Sequence, residues 1–233
     1  MRYSAVIFDL FGTLVAFSRR ENDRATAQIA ETLSAPALQF SRLMGETYFN
    51  RCTGVYASIE ENVLDVCSRL GIQANMVQIT QATKSHYEFM ANALIPKQEV
   101  LEALDMLKNS GFLLGLISNC SPTVPLLFPQ SPLAQYIDVP IFSCEAGIKK
   151  PSPRIYQLTC ERLRVKPEEC LYVGNGSSEE LTGAAAIGML PILKRADLMD
   201  VYDPRRPEVE SWRRPVIDKI GEVSEILSEL VRL

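Results

Sequence analysis

The chain of 233 residues has a single histidine, His86, and a single tryptophan. His86 sits in a helical stretch outside every motif described below. Nucleophile systems built on imidazole therefore have almost no material here. The six cysteines, at 52, 67, 120, 144, 160 and 170, include no CxxC pair and no Cys/His cluster at zinc spacing. They read as reduced structural thiols, with Cys120 expected near the active site but lacking a base. Basic excess is also missing: 24 Lys and Arg stand against 28 Asp and Glu, for a net charge of −4. That balance argues against a nucleic-acid partner or an anionic membrane. Apolar runs such as 4–8 and 113–117 are far shorter than the roughly 20 residues a membrane span needs. Asp9 and Gly12 interrupt the N-terminal apolar stretch, so no signal-peptide pattern forms. The expected location is cytoplasmic, for a monomer or homodimer. No repeat and no low-complexity tract is present.

Hydrophobic residues make up 47% of the chain, enough for one sizeable core or a core plus a small second domain. Residues 4–8 form a short all-apolar run ending at Asp9, the pattern of a central parallel strand buried on both faces. The chain turns at Gly12. From about 22 to 93 it is helical in character with one proline, Pro36. Over 59–70 the residues Ile59, Val63, Val66, Cys67 and Leu70 share one helical face, and Gly71 follows as a C-cap. After Pro96 the pattern changes. Helices are predicted at 99–110, 153–163 and 179–187, and strands at 112–117, 140–143, 170–173 and 190–193. The Pro- and Ser-rich stretch 121–140 reads as a long loop with one short helix at most. Alternating β and α elements predict an α/β fold, a doubly wound parallel sheet with helices on both faces. The core is split: residues 1–16 and 94–233 form the sheet, and 17–93 form an inserted helical cap. An insertion after the first strand lies beside the strand C-termini, where open α/β sheets bind ligands, and can act as a lid.

Four features stand at the ends of successive predicted strands or just beyond. Asp9 follows the first, in Val-Ile-Phe-Asp-Leu-Phe-Gly-Thr-Leu. Ser118 follows the second, in Gly-Leu-Ile-Ser-Asn. Lys150 precedes Pro151. Asn175 and Glu180 follow a later strand, in Tyr-Val-Gly-Asn-Gly-Ser-Ser-Glu-Glu-Leu-Thr-Gly-Ala. A carboxylate held rigidly on a strand end can attack phosphorus or carbon in line. Ser118 and the amides after Asp9, at Gly12 and Thr13, can donate to a phosphoryl or carboxylate oxygen. Lys150 offsets local negative charge and keeps Asp9 ionised. Carboxylates on the last loop can bind a divalent cation. Singly, each has a plainer reading: a strand-capping Asp, a loop Ser, solvated Lys149 and Lys150, first-turn helix acids at Glu179 and Glu180.

The four in order, with a helical insertion in the first gap, resemble the motifs of the haloacid dehalogenase superfamily over nearly the whole chain. The resemblance implies a hydrolase with a C1-type cap, acting on a small anionic substrate. It implies Asp9, Lys150 and Ser118 as catalytic residues. Phe11, Gly12, Thr13, Asn119 and Arg51 are expected to bind substrate. Asp9, the Phe11 carbonyl, Asn175 and Glu180 are expected to bind Mg²⁺. Lys150 is preferred to Lys149 because the family places its lysine directly before proline. Arg51 stands out among the cap arginines Arg19, Arg20, Arg24, Arg42 and Arg51 because it lies between two predicted helices. An arginine there suits a carboxylate or a phosphate.

Two positions depart from the family pattern. Its phosphatases carry a second Asp two residues after the nucleophile, as general acid and base. Here that residue is Phe11, and losing such a group typically costs about 10²–10⁴ in rate. The family's 2-haloacid dehalogenases carry an aromatic there, because a halide leaves without a proton. Asn175 stands where phosphatases place a metal-binding Asp, so Mg²⁺ is expected to bind weakly or not at all. The phosphatase frame around 173–184 tilts the expectation to a small phosphorylated metabolite. The alternatives are a metal-independent 2-haloacid dehalogenase, or a binding or regulatory homologue with impaired catalysis.

Overall fold

The computed structural model describes residues 3–196, 206–213 and 215–231. The first strand, β1 (Ala5–Phe8), is followed by five helices: α1 (Arg19–Thr32), α2 (Ala37–Glu46), α3 (Tyr48–Cys52), α4 (Ile59–Arg69) and α5 (Met76–Ala93). Then come α6 (Gln98–Asn109), β2 (Leu113–Ser118), α7 (Thr123–Leu127), β3 (Val139–Phe142), α8 (Ser143–Ala146) and α9 (Pro153–Leu163). β4 (Cys170–Gly174), α10 (Glu180–Ala186), β5 (Leu190–Lys194), α11 (Pro207–Ser211), β6 (Val216–Ile217) and α12 (Val223–Val231) complete the chain.

Six parallel strands lie in the order β3-β2-β1-β4-β5-β6. β1 is central and wholly buried, which is why it carries no polar residue before Asp9. Its alternation decides the two cores. Val6 and Phe8 point into one, with Leu104 and Leu107 of α6 and Val223 and Leu227 of α12. Ala5 and Ile7 point into the other, with Ile155 and Tyr156 of α9 and Leu181 and Ala184 of α10. Helices thus cover both faces, as a doubly wound α/β fold requires. The chain runs outward from β1 to β3 and then returns to β4. The order reverses between β1 and β4, so the crevice at their C-terminal ends is the expected ligand site.

The named elements between β1 and β2 are all helices, preceded by a turn with an isolated bridge between Phe11 and Val15. Side chains of Ser18, Ser58 and Asn75 cap α1, α4 and α5, and Asn75 forms a reciprocal box with Gln78. Pro36, the residue before α2, occupies its N-cap. The apolar face read from 59–70 packs with Ile29, Phe40, Met44 and Ile79 into a third core. α5 straddles two cores: Ile79 and Ala82 lie in the insertion's, while Met90 near its end joins the sheet's.

Most element boundaries differ from the sequence reading by one or two residues. The loop expected over 121–140 holds α7 and a 3-10 turn at Phe128–Gln130. β6, α11 and α12 were not expected. β6 is only two residues long, too short to carry an alternation signal. No described helix is long and apolar enough to cross a membrane.

The insertion meets the sheet region at Gly54, whose φ is +74°. A Cβ there would lie 2.2 Å from the Cys144 carbonyl oxygen in α8. Gly71 has φ +70° and open space where its Cβ would be. Gly71→Ala should therefore cost only the left-handed penalty, roughly 1–2 kcal/mol. Gly54→Ala should cost about 1–3 kcal/mol more, because backbone must shift. Urea unfolding of both variants checks this; equal losses would mean that Gly54 makes no tight contact.

Candidate active site

Asp9 lies one residue past β1 and extends the ladder through Asp9 N to Val173 O at 2.9 Å. Its side chain is almost closed off from solvent. Thr13 Oγ1 donates to Oδ2 at 3.0 Å, and Lys150 Nζ donates to Oδ1 at 2.5 Å. Lys150 is 2% exposed. Its ammonium also donates to Glu180 Oε2 at 2.5 Å and to Tyr172 OH at 3.1 Å. Three donors thus meet three acceptors. Burial by itself would lower the lysine's pKa, but the charges of Asp9 and Glu180 more than offset it and raise the pKa. Glu180 is wholly buried. Burial first, then the Asp9 charge, pushes its carboxyl up to about 7, with Lys150 opposing.

The members of this cluster converge from separate elements: Asp9 from β1, Tyr172 from β4, Glu180 from the start of α10, and Lys150 from the loop before α9. The loop carrying Lys150 is docked on β2 by Asn119: Lys150 N donates to Asn119 Oδ1 at 2.8 Å, and Asn119 Nδ2 to Lys150 O at 3.2 Å. Tyr172 belongs to β4 and donates to Glu180 Oε2 at 2.8 Å. Tyr156 of α9 donates to the Glu180 carbonyl at 2.9 Å. Ser118 ends β2. Its Oγ is buried with no partner in hydrogen-bond geometry among the described residues, though the Cys120 thiol is close by. A buried hydroxyl without a partner is costly.

Several expected roles are redistributed. Asn119 holds the lysine loop rather than substrate. The Gly12 amide is spent inside the turn, donating to Val15 O at 2.7 Å. Thr13 addresses Asp9. Arg51, expected at the substrate, anchors the insertion instead: Nη1 donates to Met44 O, Thr47 Oγ1 and Asn62 Oδ1 at 2.7–2.8 Å. It sits just past α2 and takes a carbonyl that the helix end leaves open. Arg19 and Arg42 pair with Asp23 and Glu46 on exposed helix faces. Phe11 is half-buried, its ring 4.5 Å from that of Phe17, which in turn meets Phe89 at 5.4 Å. His86 Nε2 lies 3.2 Å from Thr123 Oγ1, between α5 and α7. Burial pushes its pKa down to about 4. All six cysteines are free and buried.

The residues expected to hold Mg²⁺ do not fit a cation. Asn175 Nδ2 donates to the Phe11 carbonyl at 2.9 Å, and Ser177 N donates to Asn175 Oδ1 at 2.9 Å. Exchanging the two amide atoms would set acceptor against acceptor and donor against donor, so the network fixes the orientation. An N–H therefore points at the Phe11 carbonyl that was expected to face a metal. Glu180 is committed to Lys150, Tyr172 and Gly176 N. No group of three or more His, Cys, Asp or Glu side chains that could hold a metal occurs among the described residues.

Sequence reasoning missed Tyr172, Tyr156, Arg206 and Glu208. Tyr172 carried a signal: a hydroxyl in a fully buried strand must find a partner. Arg206 Nη1 donates to Asn175 O at 2.8 Å, and Glu208 accepts from the amides of Leu181 and Thr182 at 3.0 and 2.5 Å. Neither is marked by its neighbours in sequence.

The family of haloacid dehalogenase-like hydrolases matches residues 3–188. A glyceraldehyde 3-phosphate phosphatase of Methanopyrus kandleri is 24% identical over 98% of both chains. An (S)-2-haloacid dehalogenase of Burkholderia cepacia is 26% identical over 79% of both. An L-2-haloacid dehalogenase crystal structure superposes with a TM-score of 0.68 at 16% identity, covering 97% of this chain and 99% of the other.

Two predictions follow from the geometry. Asn175→Asp places a carboxylate against the Phe11 carbonyl, an arrangement that needs a cation between them. Titration calorimetry should show the variant binding Mg²⁺ at least tenfold more tightly than the wild type; equal affinities would put residue 175 outside any metal site. The second concerns Glu180. Between about pH 4.5 and 7, native Glu180 keeps a proton that the unfolded chain has lost. Its contribution to stability therefore falls as pH rises through that window, at no more than about 1.4 kcal/mol per pH unit. The Lys150 contribution is lost only as pH rises from the ordinary lysine value of 10.5 through its raised pKa, outside this window. Glu180→Gln should remove the slope in urea unfolding between pH 5 and 7. A slope unchanged in the variant would assign it to other groups.

Proposed function

Because the chain belongs to the haloacid dehalogenase-like hydrolases, we propose that Asp9 is its nucleophile and that it works without a metal, on a substrate whose leaving group departs unprotonated. A small 2-haloalkanoate fits best. The observation that carries this reading is the Asn175 amide donating to the carbonyl of Phe11. That bond turns an N–H toward a carbonyl expected to face a cation, and residue 11 itself is a Phe, which cannot protonate an alkoxide.

In this reading Asp9 Oδ attacks C2 of the haloacid in line, the C–halogen bond breaks, and halide leaves with the electron pair. Ser118 Oγ donates to the substrate carboxylate. The Phe11–Phe17 pair supplies an apolar wall, which a weakly hydrated halide tolerates. Water then attacks the Asp9 ester carbonyl, releasing a 2-hydroxyalkanoate and restoring the carboxylate. One proton of the water goes to the departing alkoxide oxygen, and the other is taken up by the Asp9–Lys150–Glu180 cluster, whose Glu180 carboxyl titrates near neutrality. Lys150 bridges the two carboxylates. It keeps Asp9 ionised in a dry site and aims one oxygen. The helices of 17–93 serve as a cap of the C1 type over the strand ends, with the sheet of 1–16 and 94–233 as the catalytic core.

A phosphorylated metabolite is the second reading, supported by the phosphatase relative that aligns end to end. In this chain it requires a leaving group of low pKa, since Phe11 donates no proton.

The test is product analysis with both 2-chloropropionate enantiomers and a panel of phosphate esters, each with EDTA or Mg²⁺. The expected product is chloride, from one enantiomer, at equal rates with chelator or metal. Asp9→Asn should fall to background, because a neutral amide is a poor nucleophile. Lys150→Ala should lose about 10²-fold or more. Phosphate release that depends on Mg²⁺ would overturn the metal-free reading in favour of a phosphatase. No product from any substrate would favour a binding or regulatory homologue.

A further inference from the structure

The loop after β4 is bent in a way that does not sustain itself. Gly176 has φ +80°, Ser178 +57° and Glu179 +52°. Left-handed backbone at residues with a Cβ costs roughly 1–2 kcal/mol each and persists where surrounding structure over-determines it. This loop also aims Glu180: Gly176 N donates to Oε1 at 3.0 Å, while Oε2 faces Lys150.

One segment, from beyond the stretch 3–188 that matches the family, grips the loop on both sides. At the entry, Arg206 Nη1 donates to the Asn175 carbonyl at 2.8 Å. At the exit, Glu208 receives the amides of Leu181 and Thr182 at 3.0 and 2.5 Å. Those amides are orphans of the α10 start, and a carboxylate makes charge-assisted bonds to them. Between the two, Val209 closes over the glycine: a Cβ on Gly176 would come within 2.6 Å of Val209 Cγ2. Arg206 and Glu208 are 8% and 7% exposed. Within the segment, Val209 N donates to Arg206 O at 2.9 Å, so the two grips form one rigid piece.

We propose that 206–209 is a clamp whose Arg206 and Glu208 are positioning residues for the reaction. Both side chains bond backbone of the loop: Arg206 the Asn175 carbonyl, Glu208 the Leu181 and Thr182 amides. Releasing the loop lets Glu180 turn away from Lys150, and Lys150 then loses the partner that fixes its direction toward Asp9. The proposal rests on the same Asp9–Lys150–Glu180 site as the functional reading, but its first test needs no substrate.

A lysine ammonium buried among three acceptors exchanges slowly and gives a ¹H–¹⁵N resonance of its own, assigned by its loss in Lys150→Met. Arg206→Ala and the milder Glu208→Gln should shift or broaden that resonance at neutral pH and low temperature. Arg213→Ala, at an exposed residue whose bond among the described residues goes to the neighbouring Glu210 carbonyl, should leave it unchanged. If alanine at 206 prevents folding, Glu208→Gln carries the test. In turnover of whichever substrate proves active, kcat should fall about ten- to a hundredfold with KM nearly constant, and millimolar guanidinium should restore part of it in Arg206→Ala. Variants that lose stability yet keep both the resonance and kcat would show that the segment merely packs, and would overturn the proposal. Failure of the haloacid screen leaves the resonance test intact.

Discussion

The site depends on one buried cation, the Lys150 ammonium between Asp9 and Glu180. Moving a charge out of water costs several kcal/mol after relaxation, and only excellent geometry with further hydrogen bonds offsets it. Lys150 has that geometry: two carboxylate oxygens at 2.5 Å and a phenol at 3.1 Å. Its partners arrive from β1, from β4 and from the helix beyond it, and its own loop is pinned to β2 through Asn119. The parallel sheet is what makes this convergence possible, since every one of these strands ends on the same edge. A single ammonium facing two carboxylates leaves excess negative charge. Glu180 answers this by titrating near 7, with burial the larger cause.

The same economy explains the fourth loop. Where charge balance would call for a cation, a neutral amide donates to the Phe11 carbonyl and accepts from Ser177 N. Both halves of Asn175 are satisfied within the protein. Phe11 answers the matching question on the other side of the site. In the proposed reading, the lack of an acid at residue 11 disfavours chemistry that needs protonation of a poor leaving group and tolerates release of a stable anion. The two departures from the phosphatase pattern are therefore one change seen from its two ends.

The fold was legible because its signals are long or repeated. The apolar run before Asp9, the alternation of β and α elements and the helical stretch after the first strand each follow from burial period alone, and the chain's sheet and helices bear the α/β reading out. β6 and α11 were illegible: two residues of strand and five of helix carry no period. The candidate site was legible at strand ends, where Asp9, Ser118 and Lys150 are set by chain direction. It was illegible wherever a partner comes from far along the chain. Arg51 resembled a substrate ligand in sequence but closes the end of α2, because only packing reveals which carbonyl an arginine can reach. Asn119, next to Ser118, turned out to address backbone. Glu180 was read as a metal ligand because sequence gives its charge but not its partner.

The central claim is that Asp9 is alkylated and released without a metal. Turnover of 2-chloropropionate in H₂¹⁸O with EDTA, followed by mass analysis of the Asp9 peptide, tests it most directly. Water attacking the ester carbonyl writes solvent oxygen into the Asp9 carboxylate, so the peptide should gain ¹⁸O over repeated turnovers while the product of the first turnover carries ¹⁶O. An unlabelled Asp9 with ¹⁸O in the first product would mean that water attacks the substrate directly, and would contradict the account.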